Sequence, residues 1–90
     1  MKPIHYGIAG VGGFGKFRRA RLRAAGSFVP VGGVDIRGEA FTQAEQEEGK
    51  PLRRYPSIET MAADPGVEAI FISTPANLHV EQAIIAARAG

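Results

Sequence analysis

The chain has 90 residues, of which 44% are hydrophobic and 22% are charged, and its formal net charge is +2. This composition is typical of one small globular domain, and the charge is too low to indicate a nucleic-acid partner by itself. The absence of cysteine excludes disulfides and thiolate chemistry and fits the reducing cytoplasm, where we expect the protein to be. No apolar run approaches the roughly 20 residues that a membrane helix needs, so no membrane partner is expected.

The chain opens with an apolar segment, residues 4–9, that predicts a central strand buried on both faces. Directly after it, Gly10, Gly12 and Gly15 form the pattern G-x-G-x-x-G. A helix is predicted over residues 13–25, with Phe17, Ala20 and Ala24 on one face and Phe17 expected to pack. Gly26 follows that helix at the position where a left-handed stop is expected.

The glycine pattern predicts a dinucleotide-binding turn. Gly10 allows the tight turn from strand to helix, Gly12 lets a pyrophosphate approach the backbone, and Gly15 lets the helix pack against the sheet. The free N–H groups at the start of the helix would hold the phosphates. Phe14 could flank the cofactor or simply pack in the helix. The alternative interpretation is an ordinary turn that binds no ligand.

A second strand is predicted over residues 28–34, with Pro30 unpaired on one side. Asp35 follows twenty positions after Gly15, where an acidic residue accepts the ribose hydroxyls of NAD; alternatively, it caps the next turn. Its charge would repel the 2′-phosphate of NADP, which favours NAD. Arg37 leaves NADP possible, because a guanidinium can pair with that phosphate or stack on adenine.

The remainder of the chain continues the alternation of strands and helices. Turn and cap residues divide it into a helix over residues 38–48, a short strand over 53–55, a helix from Ser57 to 64–66, a strand over 68–73 and a helix starting at Asn77. We therefore predict an α/β fold with a partial Rossmann-type, doubly wound parallel sheet of four strands in the order 3-2-1-4 and helices on both faces. Its ligand crevice lies where strands one and four end.

Five basic residues on the first helix have two interpretations, a nucleic-acid surface or a solvated helix face: Lys16, Arg18, Arg19, Arg21 and Arg23. No nucleic-acid motif accompanies them, so a solvated face is favoured. The two histidines are 74 positions apart and without a neighbouring carboxylate pair, and we expect no metal site.

The chain resembles the Gfo/Idh/MocA family, the glucose–fructose oxidoreductase and inositol dehydrogenase type of enzymes. The resemblance rests on G-x-G-G-x-G with Gly13 at its centre, on Asp35 and on the segment STPANLH that leaves the fourth strand. It implies cofactor contacts for Thr74, Pro75 and Asn77; His79 makes either a cofactor contact or a structural one. Members transfer hydride between NAD or NADP and a sugar, a cyclitol or a related small-molecule substrate.

The same resemblance implies that the chemistry lies elsewhere. Members continue into a fifth strand with a Glu-Lys-Pro motif, whose lysine holds the reacting hydroxyl, and into a substrate domain. We therefore interpret residues 1–90 as an N-terminal dinucleotide-binding fragment that has no catalytic residue and is inactive alone. The alternative is a non-catalytic nucleotide-sensing or interaction module; a methyltransferase fits less well, because Phe14 stands where such a loop needs glycine. An open edge on strand four is expected to cause self-association.

Overall fold

The structure, a computed structural model, describes residues 3–73. Strands and helices alternate through these residues in the order β1 (Ile4–Ala9), α1 (Phe14–Ala25), β2 (Phe28–Val34), α2 (Gly38–Glu48), β3 (Arg53–Arg54), α3 (Ile58–Ala63) and β4 (Ala69–Ile72). None of the helices in this part of the chain has the length and apolar character to span a bilayer. The predicted helix that starts at Asn77 lies outside the described residues.

The four strands form one parallel sheet in the order β3-β2-β1-β4, which confirms the predicted order. Successive side chains of a strand point to opposite faces of the sheet. Tyr6 and Ile8 pack with residues of α1 and α2, whereas a side chain at Gly7 would meet the sulfur of Met61 in α3. The helices therefore cover both faces, as a doubly wound sheet requires.

Pro30 shows how β2 accommodates a residue that lacks an N–H donor. β2 pairs with β1 along its whole length but with β3 only at Gly32 and Gly33. Pro30 therefore has no strand beside it on the β3 side, as predicted. Tyr6 pairs with Pro30 and Gly7 pairs with Gly32, so the ladder shifts by one residue in β2 at this point.

Most helix ends lie where the cap residues predict them. Gly26 and Gly49 adopt left-handed conformations, with φ of 77° and 73°, directly after α1 and α2. Ser57 caps α3 by accepting a hydrogen bond of 3.1 Å from the backbone N–H of Thr60. Tyr55, expected in the third strand, lies just beyond it and donates its backbone N–H to Gly33.

The inward face of α1 differs from the predicted one. The apolar spacing favoured a face formed by Phe17, Ala20 and Ala24, yet the Phe17 side chain is 67% exposed and both alanines are exposed. The buried positions of α1 are instead Gly15, Arg19 and Leu22. Packing of Phe17 within the helix layer was therefore a wrong expectation. Arg19 occupies one of these buried positions, and a charged residue normally indicates a surface position. The apolar spacing of the sequence therefore does not reveal the buried face of this helix.

Candidate functional site

The glycine turn connects β1 to α1 at the carboxyl end of the sheet. Gly10 has a φ of 85°, a conformation that favours glycine, and its N–H donates to Val34 of β2 at 2.8 Å. A Cβ on Gly15 would overlap the carbonyl oxygen of Gly10, so α1 can approach the strand this closely only with glycine there. Both glycines therefore have the structural roles predicted for them.

The first turn of α1 has neither a side-chain cap nor a negative charge of its own. Its N-cap is Gly13, which supplies no side-chain acceptor, and the turn contains no acidic residue. Helix N-termini of this kind carry N–H groups and a partial positive charge that favour a phosphate or carboxylate. The backbone of this turn therefore suits a negatively charged ligand.

Asp35 is the acidic side chain closest to the turn. Its Oδ2 accepts hydrogen bonds from the backbone N–H of Val11 at 2.9 Å and of Gly12 at 3.1 Å. Its Oδ1 accepts from the backbone N–H of Arg37 at 2.9 Å and from the Arg37 Nε at 3.4 Å. The carboxylate thus makes cap-type bonds to both the glycine turn and its own loop, which is the alternative role that its position allowed.

These contacts keep Asp35 ionised. Partial burial raises the pKa of its carboxyl, but the hydrogen bonds from Arg37, Gly12 and Val11 outweigh that effect and hold the pKa below its ordinary value. An ionised carboxylate can only accept hydrogen bonds, and it is therefore suited to paired hydroxyl donors.

Arg37 brings a positive charge to the same place. If Gly12 carried a Cβ, that atom would lie 2.7 Å from a terminal nitrogen of the Arg37 guanidinium. The Arg37 side chain is about half exposed, so the guanidinium can reach both the turn and a ligand in solvent. Asp35 and Arg37 consequently present one acceptor group and one donor group side by side at Gly12.

The end of β4 lies beside the turn. The backbone N–H of Ser73 donates to Ala9, the residue before Gly10, at 2.7 Å, and the Ser73 hydroxyl accepts from the Nε of Arg18 at 2.9 Å. This places the exit of β4 next to the glycine turn, as the strand order predicts. Thr74, Pro75, Asn77, His79 and the side chain of Phe14 lie outside the described residues.

Arg19 is a residue whose role the sequence interpretation missed. It was grouped with a solvated basic face, but its side chain is buried and bonded to the backbone of the glycine turn and to two glutamates of α2. Lys16, Arg18, Arg21 and Arg23 are exposed, as expected. The available signal was the cluster of acidic residues in α2, which offers partners to the basic residues of α1. Among residues 3–73, no three His, Asp or Glu side chains are grouped as a metal site would need.

Comparison with known proteins identifies the architecture. The family model GFO_IDH_MocA, described as an oxidoreductase family with an NAD-binding Rossmann fold, matches residues 4–90. No curated protein sequence matches the chain. Among solved structures, an NAD-binding protein from Listeria innocua is 36% identical with a TM-score of 0.81, and the match covers 99% of this chain and 26% of that one.

Two dehydrogenases are similar over the same region. The WlbA dehydrogenase from Bordetella pertussis, solved with NADH and UDP-GlcNAcA, is 31% identical with a TM-score of 0.80, covering 100% of this chain and 27% of its own. The myo-inositol dehydrogenase from Lactobacillus casei, solved with NAD(H) and myo-inositol, is 24% identical with a TM-score of 0.83, covering 93% and 25%. The chain spans about a quarter of the length of these structures. It belongs to the Gfo/Idh/MocA oxidoreductase family, whose NAD-binding Rossmann fold its residues 4–90 match.

Proposed function

We propose that residues 1–90 bind NAD as the N-terminal domain of an oxidoreductase that acts on a sugar, a cyclitol or a related hydroxyl compound. The observation that carries the proposal is the junction of Asp35 with the glycine turn at the carboxyl ends of β1 and β2. Ligands of doubly wound sheets bind at the carboxyl ends of the strands, beside the point between β1 and β4 where the strand order reverses. The family membership and the dehydrogenases similar in structure support the same assignment.

The backbone of the turn fits a pyrophosphate. The Arg37 guanidinium lies where a side chain at Gly12 would be, so glycine at this position lets a positive charge approach the backbone of the turn. No side chain caps the start of α1 at Gly13, so the positive end of the helix dipole there would favour an anion. Gly10, Gly12, Gly13 and Gly15 would hold the phosphates, with Phe14 beside them.

Asp35 would bind the adenosine ribose. To do so, its carboxylate exchanges part of its present bonding to Val11 and Gly12 for the two ribose hydroxyls, and it remains ionised because its pKa is lowered. Arg37 would stack on the adenine or, with NADP, pair with the 2′-phosphate. Since the carboxylate repels that phosphate, we propose NAD as the preferred cofactor and NADP as a weaker one.

The nicotinamide end would contact the segment after β4. Ser73, the last described residue, donates its backbone N–H to Ala9, the residue before the glycine turn. We propose Thr74, Pro75, Asn77 and His79 as the contacts there, on the strength of the family resemblance. When bound, the cofactor supplies the hydride acceptor or donor of the reaction.

We propose further that the chain is cytoplasmic and that residues 1–90 contain no catalytic residue of the reaction. In the family that it resembles, the lysine that holds the reacting hydroxyl and most of the substrate site lie beyond an Ala-Gly pair like Ala89-Gly90. Hydride transfer requires a substrate held within about 3–3.5 Å of the reacting carbon and a group that takes its proton.

A binding and turnover assay tests the function. The purified chain should bind NADH measurably and NADPH more weakly in calorimetric titrations. Mixed with NAD and a panel of cyclitols and sugars, it should produce no absorbance of reduced cofactor. A chain that binds neither NADH nor NADPH would contradict the proposal. If it also bound no related nucleotide, the interaction module would be the remaining interpretation. Measurable turnover would show that the chain contains a base that we have not assigned.

We also propose that β4 carries a self-association edge. Within residues 3–73, β4 is hydrogen-bonded to β1 alone, which leaves its other edge without a strand in this part of the chain. Such an edge presents N–H and C=O groups that can pair with a second copy. Sedimentation should show mass increasing with concentration; a monomer at every concentration, with freely exchanging β4 amides, would contradict this.

A further inference from the structure

We infer that Arg19 is a positioning residue for the dinucleotide site: it fixes the peptide between Val11 and Gly12 so that the Gly12 N–H faces the ligand side of the turn. The inference rests on the proposed function for its ligand, but the geometry on which it depends is a property of the free chain. Arg19 itself lies on α1 and would not touch the cofactor.

The burial of Arg19 is the first observation. Arg19 is only 1% exposed, although it carries a guanidinium group. Its Nε donates a hydrogen bond of 3.1 Å to the carbonyl oxygen of Val11, a residue that is fully buried. Burying a guanidinium is costly unless each of its donors has a hydrogen-bond partner. The bond to Val11 therefore satisfies a donor that would otherwise be buried without an acceptor.

The second observation is that this carbonyl belongs to the same peptide unit as the Gly12 N–H. In a trans peptide the C=O and N–H groups point in opposite directions within one plane. Arg19 binds the C=O of Val11 from the α1 side, and Asp35 accepts from the N–H of Gly12 at 3.1 Å from the β2 side. Two oppositely charged side chains therefore hold one peptide plane from both ends, and its rotation would break both bonds.

The third observation is that Arg19 is itself anchored. Its two terminal nitrogens donate to Glu47 at 2.9 Å and to Glu48 at 2.8 Å, both in α2. Glu48 is almost completely buried, and Glu47 is partly exposed. The planar fork of arginine can serve two carboxylates and a carbonyl at the same time in fixed directions. A lysine could keep the charge but not all three directions.

Comparison with Arg23 distinguishes a positioning role of Arg19 from a role in ion pairing alone. Arg23 binds the same Glu48 carboxylate at 2.6 Å, but its side chain is about half exposed and, among the described residues, donates no hydrogen bond to the glycine turn. If Arg19 served only to neutralise the acidic pair of α2, replacement of either arginine would have similar consequences. If Arg19 orients the peptide, only its replacement alters the Gly12 amide.

The test compares Arg19→Lys with Arg23→Lys in the 90-residue chain, at a temperature at which both are folded. Amide hydrogen exchange of Gly12 in the free chain should become about tenfold faster in Arg19→Lys, and the Kd for NADH should rise about tenfold, since one charge-assisted bond is lost. Arg23→Lys should change both by less than about twofold. Equal exchange rates and equal affinities in the two variants would overturn the inference.

A second pair of variants applies if Arg19→Lys fails to fold. The double variant Arg19→Gln with Glu48→Gln removes one charge of each sign, and Glu48→Gln alone keeps the bond from Arg19 to Val11. Fast Gly12 exchange in the double variant but not in the single one supports positioning; the same exchange in both contradicts it. The two failures are distinguishable: a wild-type chain that does not bind NADH contradicts the proposed function, whereas the Gly12 exchange measurement still decides the role of Arg19.

Discussion

The carboxylate of Asp35 accepts a hydrogen bond of 3.1 Å from the backbone N–H of Gly12, so the end of β2 is bonded directly to the glycine turn between β1 and α1. Asp35 thus satisfies an N–H group of the turn in the free chain. At the proposed cofactor site, binding would exchange this acceptor for a cofactor oxygen instead of leaving the donor unpaired.

Replacement of Asp35 should change the choice of cofactor more than it changes binding as such. In Asp35→Ala the repulsion of a 2′-phosphate disappears together with the acceptor for the ribose hydroxyls, so the preference for NADH over NADPH should fall by about tenfold. Paired titrations with the two dinucleotides measure the ratio. Glu39→Ala, which removes an exposed carboxylate from the first turn of α2, should leave the ratio unchanged. An unaltered preference in Asp35→Ala would contradict the assigned role.

Replacement of Arg37 is expected to weaken the binding of NADPH more than that of NADH. Because its guanidinium lies against Gly12 and is exposed to solvent, Arg37→Ala should weaken NADPH binding about tenfold and NADH binding by less than about threefold. The exposed Arg21 of α1 provides a control with the same change in net charge. If Arg37→Ala weakened both dinucleotides equally, Arg37 would contact a group that the two share.

The contact between Gly15 and Gly10 predicts a loss of stability. In Gly15→Ala the new methyl group would overlap the carbonyl oxygen of Gly10, and α1 would have to move away from β1. Urea denaturation should show destabilisation of at least about 2 kcal/mol. Gly38→Ala is a matched control, because its methyl group would meet only a terminal nitrogen of Arg54 at 3.7 Å and helices favour alanine. Equal stability of the two variants would show that the turn has room for a side chain.

The sequence predicts those features of the fold that depend on interactions between residues close together in the chain. The bounds of β1, β2 and α2 follow from apolar runs and from Gly49, since these signals act within a few residues. The glycine turn is predictable for the same reason. The buried face of α1 is not, because Arg19 finds its partners 28 and 29 positions away in α2, and no local spacing reveals that contact.

Asp35 illustrates the intermediate case. Its spacing from Gly15 placed it at the end of β2 beside the turn, and the structure confirms that location. Spacing alone left its role divided between a cap and a ribose acceptor, because both need the same carboxylate in the same place. In the described residues it makes the cap-type bonds, and the ribose role stays a prediction.

Stability should decrease in acid. Hydrogen bonds outweigh burial at Asp35 and lower the pKa of its carboxyl, and the hydrogen bond from Arg19 lowers the pKa of Glu47. Groups with lowered pKa values stabilise the folded state above their ordinary pKa, about 4, and this contribution disappears as the pH falls through the folded values. Urea midpoints measured from neutral pH downward should decline below about pH 4, with a smaller decline in Glu47→Gln. An identical decline in that variant would exclude Glu47 as a contributor.

The most direct test of the binding site is a residue-resolved titration of the isotope-labelled chain with NADH, followed by amide resonances. We expect the amides of Gly12, Gly13, Gly15 and Asp35 to shift together and to saturate with one Kd, whereas the amides of α3 should stay in place. Unmoved resonances in the glycine turn at saturating NADH, or shifts confined to another part of the sheet, would contradict it.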